Sequence, residues 1–369
     1  MFQKTLASIT AMLLSLVALL SGKPLEKILI PLPLDYPICL ICATEDRGMT
    51  VTAEDTDCVT LQKQTAGTFK VLFYTDQHLD GKNYSGDLTV DRMIRTIQHE
   101  QPDLVLLGGD NITNGLNCLR CHQFAWIFEK LGVYWGGILG NHEGDNQLSV
   151  TREKMVDIFS AYPHCIMRKG PDDIDGNCNY AINLLDAEGQ HIQTIFCLDT
   201  FDELTQEQIE AYGVDTDRSP YDGAHANQVQ WYREKAAALK AEFGDYKSIL
   251  LQHIPLPAYD RAAEVGDFLF GDKREGICST VYENGLFDAI KESGTTQAVF
   301  CGHDHLNNFG AMYDGILLAY LQPSGYGAYG LQRQNAPKQD WLQGYSSLQF
   351  NADGTFEYNQ FRYAEVFSD

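Results

Sequence analysis

The chain has 369 residues, 44% of them hydrophobic and 11% aromatic, enough to bury a large core and too ordinary a composition for disorder. Its 50 acidic and 27 basic residues leave a formal net charge of -23, which argues against a partner held by neutralising phosphates along a nucleic-acid backbone. A phosphate can still be bound locally if metal ions supply the positive charge.

Residues 6–20 form an apolar run interrupted only by Ser8, Thr10 and Ser15, between Lys4 and Ser21-Gly22-Lys23. This is the layout of a secretory signal peptide, shorter than the roughly 20 residues of a spanning helix. Leu19 and Leu20 stand where a cleavage site prefers small residues, so an uncleaved membrane anchor through residues 6–20 is the alternative to a signal peptide over 1–22. In both cases the bulk of the chain is expected outside the cytoplasm, secreted or membrane-anchored. Residues 23–66 carry Pro24, Pro31, Pro33 and Pro37, then Cys39, Cys42 and Cys58. They read as a linker and an irregular N-terminal segment, ahead of one large domain over 67–369.

Within that domain, apolar runs repeatedly end on groups able to bind a metal. Phe69–Tyr74 reads as a strand running into Asp76 and His78, and Val90, Met93, Ile94 and Ile97 then fall at helical spacing. Residues 104–107 form a second buried strand, closed by Gly108-Gly109 and followed by Asp110 and Asn111. Strand, helix, strand is a β-α-β unit. The run 133–139 ends on Gly140-Asn141-His142-Glu143, ahead of a helix over 149–159. Strands at 180–185 and 192–198 read as sheet core, and 226–243 places Val229, Tyr232, Ala236, Leu239 and Phe243 on one helical face. Residues 248–251 lead to His253, and 298–301 lead to His303 and His305. Strands at 316–321, 347–350 and 356–361, the last two joined by a turn at Asp353-Gly354, are expected to complete the second sheet.

Four of the ten histidines, with Asp76, Asp110 and Asn141, thus fall immediately after expected strands. The carboxyl ends of strands in open α/β sheets are where ligands bind. The blocks Asp76-x-His78, Gly109-Asp110-Asn111, Gly140-Asn141-His142-Glu143, His253 and Gly302-His303-Asp304-His305, in that order, resemble the signature of calcineurin-like metallophosphoesterases. Gln252-His253-Ile254-Pro255-Leu256-Pro257, Phe300-Cys301-Gly302-His303-Asp304-His305-x-Asn307 and Ser324-Gly325-Tyr326-Gly327-x-Tyr329-Gly330 are similar to one branch, the plant proteins labelled probable inactive purple acid phosphatases and related fungal phosphatases.

The resemblance implies an α/β fold, a four-layer α/β/β/α sandwich of two mixed sheets flanked by helices. It assigns Asp76, His78 and His305 to one metal, Asn141, His253 and His303 to another, and Asp110 to both. The ions would be Fe, Mn or Zn, since mixed nitrogen and oxygen ligands do not choose among them. A two-metal centre lowers the pKa of a bridging water and neutralises charge in an in-line displacement. His142 would protonate the leaving group or orient the phosphate. With Asp110 it forms the expected catalytic pair, and Asn111, Asn141, His142 and Tyr326 are the expected substrate contacts, with Asn114 and Tyr259 as further pocket candidates. The expected reaction is hydrolysis of a phosphomonoester, on a small molecule or a phosphoprotein, by a metal-bridging hydroxide. A phosphodiesterase with the same centre is one alternative, and a catalytically inactive metal- or phosphate-binding protein is another.

Two departures matter. Position 113 is Thr, where the purple enzymes have the tyrosine that colours their iron and other branches have an Asp that orients the catalytic histidine. The purple enzymes also lack the His of the Asp-x-His block, which is present here as His78. No purple centre is therefore expected, and Glu143 and Asp304 are the candidates to orient His142. Separately, Cys118-Leu119-Arg120-Cys121-His122 matches a c-type haem attachment motif. With no other haem feature beside it, a local disulfide or two free thiols is the preferred reading. Asn83-Tyr84-Ser85 and Asn111-Ile112-Thr113 match glycosylation sequons, the second by chance because it overlaps the site.

Overall fold

The computed structural model describes residues 43–46, 48–79, 84–113, 117–145, 149–214, 220–281 and 285–367. The apolar run over 6–20, Cys39, Cys42, Asn83 and Asn114 lie outside them. Among the described residues no helix is long and apolar enough to cross a membrane.

The first element corrects an expectation. Residues within 23–66 are expected to be irregular, yet β1 (Met49–Asp55) pairs antiparallel with β2 (Cys58–Lys63). Val59 and Leu61 are fully buried while Thr60 and Gln62, which alternate with them, are partly exposed, a period-two pattern carried by few apolar residues. A parallel run follows: β3 (Phe69–Tyr74), α1 (Tyr84–Glu100), β4 (Leu104–Gly108), α2 (Asn117–Leu131) and β5 (Tyr134–Ile138). Thr151 then caps α3 (Arg152–Ser160) by accepting from the Lys154 amide.

The next part of the chain supplies β6 (Tyr180–Leu185), β7 (His191–Cys197), α4 (Gln206–Tyr212), α5 (Ala226–Phe243), β8 (Ser248–Leu251), α6 (Ala258–Val265) and β9 (Asp267–Phe270). It closes with α7 (Leu286–Ser293), β10 (Thr296–Cys301), β11 (Gly310–Tyr313), β12 (Ile316–Tyr320), β13 (Gly344–Phe350), β14 (Phe356–Arg362) and α8 (Tyr363–Val366).

These strands form two mixed sheets, one of nine strands in the order β1-β2-β6-β7-β8-β10-β12-β11-β9 and one of five in the order β14-β13-β3-β4-β5. The C-terminal strands, expected together in one sheet, divide between both. β12 runs parallel to β10 in the large sheet, and the β13–β14 hairpin extends the small one by pairing antiparallel with β3.

Alternation along the central strands sets the layers. Ile249, Leu251, Ala298, Phe300, Leu317 and Ala319 join the core that also holds the small sheet. Their neighbours Leu250, Val299 and Leu318 join a second core with Val229 and Tyr232 of α5 and Leu286 and Ile290 of α7. Met93, Ile97, Phe124 and Phe159 bring α1, α2 and α3 onto the small sheet. There the Trp135 ring stacks on Phe128 at 4.7 Å and meets Phe159 edge-on at 5.2 Å, contacts worth about 0.5–1.5 kcal/mol each beyond the area they bury. The result is the expected four-layer α/β/β/α sandwich.

Candidate metal centre

The two sheets bring their strand ends to one place. Asp76, Asp110 and Asn141 follow β3, β4 and β5 of the small sheet, while His253 follows β8 and His303 and His305 follow β10 of the large one. The chain turns abruptly at these points: Asp76, His78, Asp110 and His303 have φ of 57°, 45°, 52° and 80°. For non-glycine residues this left-handed region costs on the order of 1–3 kcal/mol each and persists where the surroundings enforce it. Backbone bonds enforce it here, since the Asp76 amide donates to Gly109 O at 3.0 Å and the His78 amide to Asp110 O at 2.9 Å. Gly109 has φ 97°, and a Cβ there would lie 2.5 Å from His253 Nδ1.

Two groups of side chains able to hold a metal result, Asp76, His78, Asp110 and His305 in one and Asp110, His253 and His303 in the other. Within each group the ligand atoms lie within 4.8 Å of one another, and Asp110 belongs to both. Asp110 Oδ2 is 3.2 Å from His253 Nε2 and 3.4 Å from His78 Nε2. His305 Nε2 is 3.2 Å from Asp76 Oδ1, and Asn141 Oδ1 is 2.9 Å from His303 Nδ1. The second nitrogens of two imidazoles are engaged behind the site, His253 Nδ1 with Gly108 O at 2.8 Å and His305 Nδ1 with Tyr329 O at 3.1 Å. Such outer bonds fix the ring and its tautomer for metal binding. His253 Nε2 is buried, and its contact with Asp110 is not aligned as a hydrogen bond. A buried nitrogen aimed at a shared carboxylate fits a cation site, and the N/O donor set suits a transition metal.

The electrostatics point the same way. Burial opposes ionisation of Asp76, but His305 and His253 outweigh it and bring the carboxyl down to about 2. Asp110 is likewise held well below the usual range, with burial overcome by His253 and His78. Burial keeps His78 and His303 neutral, at about 4 and about 3. His253 rises to about 10 despite burial because Asp110 and Asp76 face it, so a metal taken there displaces a proton.

His142 and Asp110 meet: the His142 amide donates to Asp110 Oδ1 at 2.9 Å, and the ring borders a cavity of about 170 Å³ shared with His78, Asp110 and His305. Glu143 and Asp304, the candidate partners of this ring, are occupied elsewhere. Glu143 is fully buried and accepts from the Gly140 amide and the Asn111 side chain, while Asp304 accepts from Tyr320 OH at 2.6 Å and from the Cys278 amide. The carboxylate on His142 is instead Asp145, with Oδ2 2.5 Å from Nδ1. Burial lowers the affinity of the ring for a proton, but Asp110 and Asp145 more than offset it.

Other expected contacts move. Asn111 is fully buried, its side chain donating to Ile138 O and Glu143, so it supports the site from behind and offers no surface to a sugar. Tyr326 packs against Trp341 and Tyr363 and borders a different cavity. Tyr259 is buried, donating to Val299 O. The tyrosines that border the metal cavity are Tyr221, edge-on to His303 at 4.4 Å, and Tyr329, stacked on His305 at 4.2 Å. Tyr329 lies in the same Gly-rich stretch as Tyr326, so the loop was legible and the residue was not; Tyr221 carries no local signal. Cys118 and Cys121 are free thiols on α2, and His122 is buried against Tyr162 OH at 2.9 Å.

The chain is 29% identical over 307 residues to Probable inactive purple acid phosphatase 14 of Arabidopsis thaliana, covering 73% of this chain and 74% of that one. It is 25% identical over 286 residues to Phosphatase DCR2 of Saccharomyces cerevisiae, covering 69% and 47%. Among solved structures it is similar to a dimetal phosphatase from Danio rerio, at 14% identity and a TM-score of 0.43 over 79% of this chain and 99% of that one. The family model for calcineurin-like phosphoesterases matches residues 69–307, taking in every strand end described above, and the chain belongs to that family.

Proposed function

We propose that this protein is a dinuclear metal-dependent phosphoester hydrolase acting on phosphomonoesters, in small molecules or phosphoproteins, outside the cytoplasm. The observation that carries the reading is the convergence of Asp76, His78, His253, His303 and His305 on Asp110, the one residue common to both ligand groups, with Asn141 beside His303. A chain that had lost its chemistry would be free to lose some of these. Two ions of Fe, Mn or Zn held there would supply the positive charge that activates water and stabilises the phosphoryl group in an in-line displacement.

The protein's own groups do the rest. Asp110 holds the two halves of the site at a fixed separation, and its Oδ1 fixes the backbone of His142. His142 faces the cavity with the proton that the leaving oxygen needs. Tyr221 and Tyr329 wall the cavity beside His303 and His305.

The test is hydrolysis of p-nitrophenyl phosphate and bis-p-nitrophenyl phosphate by metal-reconstituted protein, with Asp110→Asn as control. Monoester turnover that exceeds diester turnover and vanishes in the variant supports the reading. A diester preference makes the protein a phosphodiesterase. Two bound metals with no turnover on a broad phosphoester panel would make it a binding protein.

A further inference from the structure

Resting on that reading, we propose that Asp145 is the positioning residue for His142, taking the part that Thr113 has no carboxylate to play. Asn141–Gly144 is a turn of 3-10 helix with Asp145 at its C-cap. With three residues per turn, side chains at i and i+3 eclipse, which sets Asp145 directly over His142. The bond is short, 2.5 Å from Oδ2 to Nδ1, and the backbone of the ring is fixed independently by Asp110. With Nδ1 committed to Asp145, Nε2 is the nitrogen left for the cavity.

An exposed i, i+3 pair on a surface turn is ordinarily worth little to stability, and both side chains here are near half exposed, at 42% and 48%. The effect of Asp145 is therefore on chemistry rather than on folding. As water bonds to phosphorus, the P–O bond to the leaving group breaks with its electron pair on oxygen, and that oxygen takes the Nε2 proton. The proton released by the attacking water restores the ring. Asp145 keeps the proton-bearing Nε2 aimed at the leaving oxygen and stabilises the charged ring.

This role has a signature that a structural role lacks. Nitrophenolate departs almost unaided, whereas an alkoxide needs its proton. The experiment compares kcat of wild type, Asp145→Asn, Asp145→Glu and His142→Ala on p-nitrophenyl phosphate and glycerol 2-phosphate, with bound metal measured for each. In Asp145→Asn the loss on glycerol 2-phosphate exceeds the loss on p-nitrophenyl phosphate by about 10-fold or more, a part of the roughly 100- to 10,000-fold that a positioned general acid contributes. Asp145→Glu regains part of it, and Asp145→Asn adds nothing further in the His142→Ala background. Equal losses on the two substrates, no loss on either, or loss of metal would each overturn the assignment. Wild type that binds two metals and hydrolyses neither substrate would overturn the phosphomonoesterase reading on which the assignment rests, an outcome distinct from the other three.

Discussion

Arg152→Met tests how the site is held from behind. Arg152 lies at the start of α3, its side chain 13% exposed; Nη1 donates to Gly140 O and Nη2 to Asp199 Oδ1 at 2.5 Å, the Asp199 side chain being fully buried. Glu143 accepts from the Gly140 amide, at 2.8 Å. Gly140, the residue just before Asn141, is therefore held on both sides, its N–H by Glu143 and its C=O by Arg152. Removing one member of a buried ion pair costs about 3–5 kcal/mol because the other is left uncompensated. Asp199 would keep the amides of Asn177 and Phe201, at 2.8 and 3.1 Å, which places the loss near the lower end, about 3 kcal/mol. Loosening the Asn141 loop should also weaken metal binding by about 10- to 100-fold, as for other outer partners of ligands. Urea titration of the metal-free protein reads the first quantity and chelator competition the second. The double variant Arg152→Met/Asp199→Asn should recover most of the stability while leaving metal binding weak. A loss below about 1 kcal/mol with unchanged metal affinity would refute the clamp.

Two further outcomes follow from the geometry. Gly140 has φ -101°, which alanine adopts without strain, but a Cβ there would lie 2.3 Å from Asp110 Oδ1 and 2.7 Å from His253 Nε2. Gly140→Ala should therefore keep a native circular dichroism spectrum and lose bound metal, and full metal content would contradict the packing. The second concerns acid stability. Burial, helped by Lys154, holds His122 at about 4, against about 6.5 in the unfolded chain. Above 6.5 neither state binds the proton; between 6.5 and 4 only the unfolded state does, so stability falls as pH falls and levels off below 4. The loss at His122 amounts to about 3 kcal/mol. His122→Gln, which keeps a partner for Tyr162, should flatten the stability of the metal-free protein against pH by one proton across that window. An unchanged slope would count against the buried neutral histidine.

The candidate metal-binding side chains were legible because each stands directly after an apolar run, so strand periodicity and ligand chemistry fall together in the sequence. The hairpin of β1 and β2 was hidden because its strands alternate Thr, Gln and acidic residues with few apolar ones, as an edge of a sheet permits. Asp145 was hidden for another reason. A carboxylate three residues after a histidine is unremarkable until the turn between them is known to be a 3-10 turn, and the carboxylate nearer in sequence, Glu143, points the opposite way into the core. Tyr326 and Tyr329 show the same limit: three positions along one Gly-rich loop decide which cavity a ring borders, and composition does not encode that.

The placement of β13 bears on when the centre can exist. β3, which delivers Asp76, lies between β4 and β13, with Ser346 facing Phe73 and Ser347 facing Leu72 in the antiparallel register. During synthesis the last histidine of the site emerges well before residues 344–350, so β3 then has one of its two edges unpaired. The site is therefore completed only after residues 344–350 have emerged and paired with β3. Metal should be acquired after that pairing rather than before it, and a chain cut short before β13 should carry every candidate ligand in its sequence and still fail to hold them together.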